Sequence, residues 1–413
     1  MLNYIMKKEH LFVRVAIGFA LGIILGFAVP QFSLDTQFIG NIYLKLVKMM
    51  IIPIIFCAVC GGIANISDPS TLKRIGAKTV GLYVIMFICS AVVSLGVAYA
   101  VRPGLNISFD TTPTYDGTVS TPTVSSFFDN IFTDNIIQSA ADGSTLPVIL
   151  FTIVFAIAIV TCGKKAEPVL DFVNGLSAVC FKMLGFIMEL SPIGVCSLMA
   201  YSLAEYGAGI FTALGKYVLT CYIACILTFA LVMFLPVVVY GKLSPKKFLQ
   251  GCASVAMVSL STTSSAATLP TSINVSMNDF KAPESITKFT LPLGCTINMC
   301  GGACSFCCLA VFVSDFYGLN LSLGTIIFLI LVATLLNMAA PGIPGGGIVL
   351  GVSFLSILGL PFDLMGPISA FYRLLDMAFT TINVEGDIAA NLIIAKSEKE
   401  WDGAAVSSAP ATT

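Results

Sequence analysis

Charge is scarce in this chain. Of its 413 residues only 10% are Asp, Glu, Lys or Arg, against 57% hydrophobic, and soluble domains carry roughly 25% charged residues. That balance excludes an ordinary soluble fold. Histidine is nearly missing as well: the single one, His10, lies near the start, so chemistry needing an imidazole base or a His-built metal site has little to work with. There is no block of like charge, and the formal net charge of −1 argues against nucleic acid as a partner. What is present in quantity is apolar sequence, and the chain reads as a polytopic membrane protein embedded in a lipid bilayer. Its fourteen cysteines sit mostly inside apolar runs, as do Cys295, Cys300, Cys304, Cys307 and Cys308; they read as buried thiols, although Cys304 and Cys307 form a CxxC. Lys7, Lys8 and Arg14 precede an apolar stretch that reads as a first span rather than a cleaved leader.

Apolar segments fall near 11–30, 36–66, 78–101, 145–163, 168–200, 209–240, 286–313 and 364–395, which predicts about eight spans, the longest of them tilted. Two further segments, near 246–278 and 321–358, are broken by Ser261-Thr262-Thr263-Ser264-Ser265 with Pro270, and by Pro341-Gly342-Ile343-Pro344-Gly345-Gly346-Gly347. The half after each break holds only about 8–11 apolar residues, too few to cross a bilayer. Irregular backbone at membrane depth is tolerated where it lines a protein-walled cavity, so each break predicts a re-entrant helical hairpin at a binding site. Charge placement agrees. With both termini cytoplasmic, Lys73, Arg74, Lys78, Lys164, Lys165, Lys242, Lys246, Lys247, Lys281, Lys288, Lys396 and Lys399 fall inside, and little beyond Arg102 and Lys216 falls outside. The assignment holds only if each broken segment returns to the side it entered from. The polar connection at 102–144 reads as an external loop, and 403–413 as a disordered cytoplasmic tail.

The last apolar segment carries the chemistry. Asp376, Thr380, Asn383 and Asp387 recur at spacings of 4, 3 and 4 and so share one helical face. Charges at membrane depth are costly and usually face a cavity or a partner. One carboxylate suits an ammonium group and the other a hard cation, which prefers carboxylate, amide and backbone oxygens. The same residues would also suit a wet helix face, or a pair between Asp376 and Arg373 one turn back.

At these residues a family resemblance becomes plain. Asp376, Thr380 and Asn383-Val384-Glu385-Gly386-Asp387 resemble the final-helix signature of the dicarboxylate/amino acid:cation symporters, the family of glutamate and neutral amino acid transporters. Ser264-Ser265-Ala266-Ala267-Thr268-Leu269-Pro270 resembles that family's first hairpin tip, Gly342-Ile343-Pro344-Gly345 its second, and Asn298-Met299-Cys300-Gly301-Gly302 its Asn-Met-Asp-Gly-Thr stretch. Leu46-Val47-Lys48-Met49-Met50-Ile51-Ile52-Pro53 resembles part of its second span. The resemblance implies an all-α elevator fold, a homotrimer, scaffold spans near 11–66 and 145–200, and a transport part near 78–101 and 209–396. It also implies that Asp376 holds a substrate amino group, with Thr380 and Asn383 beside it. Thr263, Ser264 and Ser265 would meet the substrate carboxylate, and Ile343 would act in an outer gate. A cation site would be built from Gly294, Asn298, Asn383 and Asp387, and a second from Thr296 with the backbone between Asn337 and Ala340.

Three departures shape the expected substrate. Phe379 replaces the arginine that binds an acidic side chain in that family, and a buried carboxylate without a cationic partner is costly; this favours a neutral amino acid. Cys300 replaces an aspartate of a deeper sodium site, and on the third span Ile88 and Cys89 stand near that level, so fewer cations are expected. Gly302 replaces a threonine and is expected to enlarge the pocket. Glu385 reads as a cytoplasm-facing carboxylate. The expectation is therefore an inner-membrane symporter importing a neutral amino acid with sodium. The alternatives are an acidic amino acid or dicarboxylate bound through Arg373, proton coupling, or an anion-conducting channel. An intramembrane enzyme would need Lys182 beside Ser264 and Ser265, and none is expected.

Overall fold

The computed structural model describes residues 11–64, 75–105, 132–338 and 346–408, and all regular structure among them is helical. The first part holds α1 (Leu11–Ala28), α2 (Pro30–Asp35), α3 (Gln37–Met49), α4 (Ile51–Ala64), α5 (Ala77–Val101), α6 (Ile136–Ala141), α7 (Thr145–Cys162), α8 (Glu167–Glu189) and α9 (Ser191–Tyr206). The second holds α10 (Gly209–Thr228), α11 (Leu235–Val239), α12 (Pro245–Thr262), α13 (Ser265–Asn274), α14 (Glu284–Ile297), α15 (Cys300–Phe316), α16 (Leu323–Met338), α17 (Gly346–Ile357), α18 (Met365–Ser397) and α19 (Gly403–Ser408). Among the described residues five stretches are, by length and composition, long and apolar enough to cross a membrane: 30–61, 77–101, 147–189, 209–239 and 284–316. Large apolar side chains on the outer faces, such as Ile24, Phe27, Phe186, Ile226 and Met257, are exposed, as lipid contact requires.

Several long segments are broken rather than simply tilted, which corrects the sequence reading. The stretch near 36–66 parts at Met50, because Pro53 has no N–H for the carbonyl of Met49. The stretch near 168–200 parts at Leu190, where Pro192 cannot serve the Met188 carbonyl and the Ser191 hydroxyl serves it instead at 2.6 Å. The segment near 286–313 is interrupted at Asn298 and Met299, between α14 and α15. The 102–144 connection is not all loop, since Asn135 caps the short α6 by accepting from the N–H groups of Ile137 and Gln138; its residues 106–131 lie outside the described part.

The helices pack in two ways. One small core gathers Cys60, Ala156, Ile159 and Val173 between α4, α7 and α8, and α1 lies along α9 so closely that a Cβ on Gly18 would meet the Pro192 carbonyl at 2.2 Å. The larger core joins α5, α10, α15 and α18, with Tyr83, Tyr217, Phe306 and Phe312 fully buried within it. The first broken segment is a true hairpin: α12 and α13 pack on each other around a two-residue break, Thr263 in the left-handed region at φ 49° and Ser264 extended.

The segment from Trp401 to Ser408 packs onto the fold, where the composition of 403–413 reads as disordered. The Trp401 indole N–H donates to the Phe280 carbonyl at 2.7 Å, the Ser244 N–H donates to the Ser407 hydroxyl at 2.7 Å, and Lys247 reaches the Val406 carbonyl. Trp401 is buried, and that burial supplies the free energy that composition alone does not announce. Lys396 lies 3.0 Å from Asp402 and holds its carboxyl below the usual range. Residues 409–413 lie outside the described part.

Candidate functional site

Two backbone interruptions, the end of α16 and one face of α18 converge on one cavity. It is lined by Thr263 and Ser265 of the first hairpin tip, Met299 and Gly302 after the α14–α15 break, Asn337 at the end of α16, and Asp376, Phe379, Thr380 and Asn383 of α18. The first tip is locally determined. The Thr262 hydroxyl accepts from the Ser264 N–H at 3.3 Å, and the Ser264 hydroxyl caps α13 by accepting from the Ala267 N–H at 3.3 Å, as short hydroxyl side chains do at helix starts. Ser264 itself is spent on this cap and lies beside the cavity lining rather than in it.

On α18 the predicted stripe is real. Asp376, Phe379, Thr380, Asn383 and Asp387 are all buried, and the Thr380 hydroxyl lies 3.5 Å from Asp376 Oδ1. Asn383 is held on both sides: its Oδ1 accepts from the Gly301 N–H at 2.7 Å and its Nδ2 points at the Met299 sulfur at 3.2 Å. One turn on, Asn298 Nδ2 donates to Asp387 Oδ1 at 2.8 Å and to the Asn383 carbonyl at 3.1 Å. The Asn298 N–H returns to the Gly294 carbonyl at 2.7 Å. A Cβ on Gly294 would stand 2.3 Å from Asp387 Oδ1 and 2.4 Å from the Tyr83 hydroxyl. Gly294, Asn298, Asn383 and Asp387 are thus brought together as a nest of carboxylate, amide and backbone oxygens, a donor set suited to a hard cation.

Other expected residues fall differently. Thr296 is exposed and its hydroxyl bonds to the Leu293 carbonyl at 2.9 Å, apart from the Asn298–Asp387 nest. Ala340 and Ile343 lie outside the described residues. Ile88 and Cys89 point outward, and Ser90, one residue on, is the buried group beside Cys300; the Cys300 thiol donates to Asn298 Oδ1 at 3.0 Å. Glu385 is 7% exposed, among the buried residues 382–390 of α18, and so does not face solvent as expected. Gly302 does not open the pocket: a Cβ there would stand 1.8 Å from Asn337 Oδ1, so that oxygen takes the space. Lys182 stacks over Phe186 of its own helix, and Arg373 is not among the residues lining the cavity. Sequence reasoning missed Tyr83 and the side chain of Asn337. The signal for Tyr83 was a phenol deep in an apolar span, which needs a polar partner.

The chain matches the sequence profile of the sodium:dicarboxylate symporter family over residues 11–397. It belongs to that family. This symporter is therefore a multi-pass membrane transporter of a cation-coupled family, not an enzyme. It is 31% identical to a C4-dicarboxylate transport protein of Rhizobium johnstonii over 408 residues, covering 97% of this chain and 91% of the relative. It is 32% identical to C4-dicarboxylate transport protein 2 of Mesorhizobium japonicum over 412 residues, covering 98% and 93%. A proton/sodium-glutamate symport protein of Geobacillus stearothermophilus is 29% identical over 408 residues, covering 96% of each chain.

Proposed function

We propose that this symporter imports a neutral amino acid with sodium, binding the substrate in the cavity between the first hairpin tip and α18. The carrying observation is Phe379: among the described residues the cavity is lined by no Lys or Arg, and Phe379 forms its wall beside Asp376. Asp376 holds the ammonium group, and the start of α13 at Ser265 offers backbone N–H groups to the carboxylate. The side chain then meets Phe379 and its neighbours. An acidic side chain there would lose its water with no cation to replace it.

Sodium is taken up as co-substrate at the Asp387 nest. Ammonium, carboxylate and cation compensate each other in low dielectric, so closure of the hairpins is favourable only when the set is complete. With Cys300 donating its thiol to Asn298 rather than supplying a carboxylate, fewer cations accompany each substrate. In this reading the protein is a homotrimer in the inner membrane with both termini cytoplasmic. Residues near 11–66 and 145–200 are the scaffold, and those near 78–101 and 209–396 move as an elevator.

A second reading is an acidic amino acid or C4-dicarboxylate, and the names of the relatives favour it. It needs a cation such as Arg373 to turn into the cavity from its half-buried place on α18. Uptake of labelled alanine, serine, leucine, aspartate and succinate into proteoliposomes, with and without an inward sodium gradient, separates the readings. Sodium-driven uptake of a neutral amino acid with aspartate and succinate excluded supports the first. Preference for aspartate or succinate establishes the second, and indifference to sodium replaces sodium by protons.

A further inference from the structure

Asn337 lies in the last turn of α16 and is 1% exposed. The amide nitrogen donates to the Ala333 carbonyl at 2.6 Å. That contact settles which way the carboxamide points, because the reversed amide would set two oxygens against each other. The oxygen is therefore turned away from its own helix and lies against Gly302 in the cavity wall. It has no hydrogen-bond partner among the described residues. A buried acceptor left unmade costs free energy, so its presence in a binding cavity points to a donor that arrives with the ligand.

The surroundings narrow what that donor is. Gly302 is what makes room, since any Cβ there would stand 1.8 Å from Asn337 Oδ1. Two of the nearby polar side chains are already engaged: Asn383 with Gly301 and Met299, and Thr380 with Asp376. Phe306, Leu350 and Phe379 supply apolar wall in the same cavity. A hard cation held by one neutral oxygen beside such walls would not recover its hydration, and the oxygens it wants are gathered at Asp387. A carboxylate has no proton to give and would face oxygen with oxygen. A hydroxyl or a carboxamide has a proton to donate to it.

We propose that Asn337 Oδ1, seated in the space left by Gly302, selects substrates whose side chain carries a hydrogen-bond donor, as in serine, threonine, asparagine or glutamine, over apolar side chains of the same size. The assignment rests on reading this cavity as a neutral amino acid site. Asn337 is then a specificity-determining residue.

The test is uptake of near-isosteric pairs, threonine against valine and asparagine against leucine, into proteoliposomes of the full chain. The wild type is expected to favour the donor-bearing member of each pair by about tenfold. In Asn337→Leu the ratio should fall to near unity. Where that variant does not reach the membrane, Gly302→Ala carries the same measurement, because it leaves Asn337 in the sequence but denies its oxygen that position. A wild type that takes up valine as well as threonine overturns the assignment and leaves the neutral reading intact. So does a ratio that survives either substitution, or a variant that shifts only the half-saturating sodium concentration. Uptake confined to aspartate and succinate removes the neutral reading itself, and the assignment with it.

Discussion

Asn298 donates one amide nitrogen both to Asp387 Oδ1 and to the backbone carbonyl of Asn383, at 2.8 and 3.1 Å. A residue at a break between two helices thus fixes the carboxylate of a third at the depth where the cation is proposed to bind. Groups that orient a ligand in this way matter nearly as much as the ligand.

Asn298→Ala should therefore raise the sodium concentration for half-maximal uptake by roughly 10–100-fold, and Asp387→Asn should abolish sodium dependence. Initial uptake rates against sodium concentration would show it. A sodium curve unchanged in both variants would remove the Asp387 nest from the coupling scheme.

Gly294→Ala places a methyl 2.3 Å from Asp387 Oδ1 and 2.4 Å from the Tyr83 hydroxyl. The overpacking should cost about 1–3 kcal/mol and push the carboxylate away from Asn298. Loss of sodium-driven uptake with a small drop in melting temperature is expected; full activity would mean that the nest tolerates a displacement the geometry does not allow.

Phe379→Arg introduces a guanidinium into the cavity beside Asp376. Charge-assisted hydrogen bonds contribute about 1.5–3 kcal/mol, so aspartate uptake should rise by about ten- to a hundredfold while neutral uptake falls. Competition between labelled alanine and unlabelled aspartate measures the change directly. An unaltered order of substrates would show that the side chain at 379 does not set selectivity.

Trp401→Ala should destabilise the protein by about 3–5 kcal/mol, the usual cost of emptying a buried aromatic site. Trp401→Phe keeps most of the bulk but leaves the Phe280 carbonyl unpaired, costing about 1 kcal/mol. Melting of the purified variants in detergent should rank wild type above Phe above Ala. Equal melting of all three would mean that the docked chain end carries no stability.

Much of this architecture was legible because the bilayer leaves few choices. Breaks rich in Ser, Thr, Gly and Pro inside apolar runs are expensive, and the first of them does fold as a hairpin at Thr263 and Ser264. The polar stripe of α18 was legible from spacing alone, since 4-3-4 steps leave one face. The breaks at Met50 and Leu190 were not, because Pro53 and Pro192 interrupt runs that remain apolar throughout, and hydropathy does not register a missing N–H. Register was harder still. Ser90, not Ile88 or Cys89, meets Cys300, and one residue on a helix is a 100° turn. Gly302 looked like empty space because its occupant, Asn337, comes from a helix 35 positions away. The segment after Gly403 looked disordered because the buried residue that precedes it, Trp401, stands in a short polar stretch whose partner is the carbonyl of Phe280, and a backbone group leaves no trace in composition.

That anchoring sets an order on biogenesis. The base of the first hairpin is held at both legs, near Ser244 and Lys247 and at Phe280, by residues between Trp401 and Ser407. The hairpin can enter the bilayer as it is synthesised, but it acquires this clasp only once Trp401 to Ser407 have been made, so chains truncated before Trp401 should be recognised as unfinished by membrane proteases even though the hairpin itself is already in place.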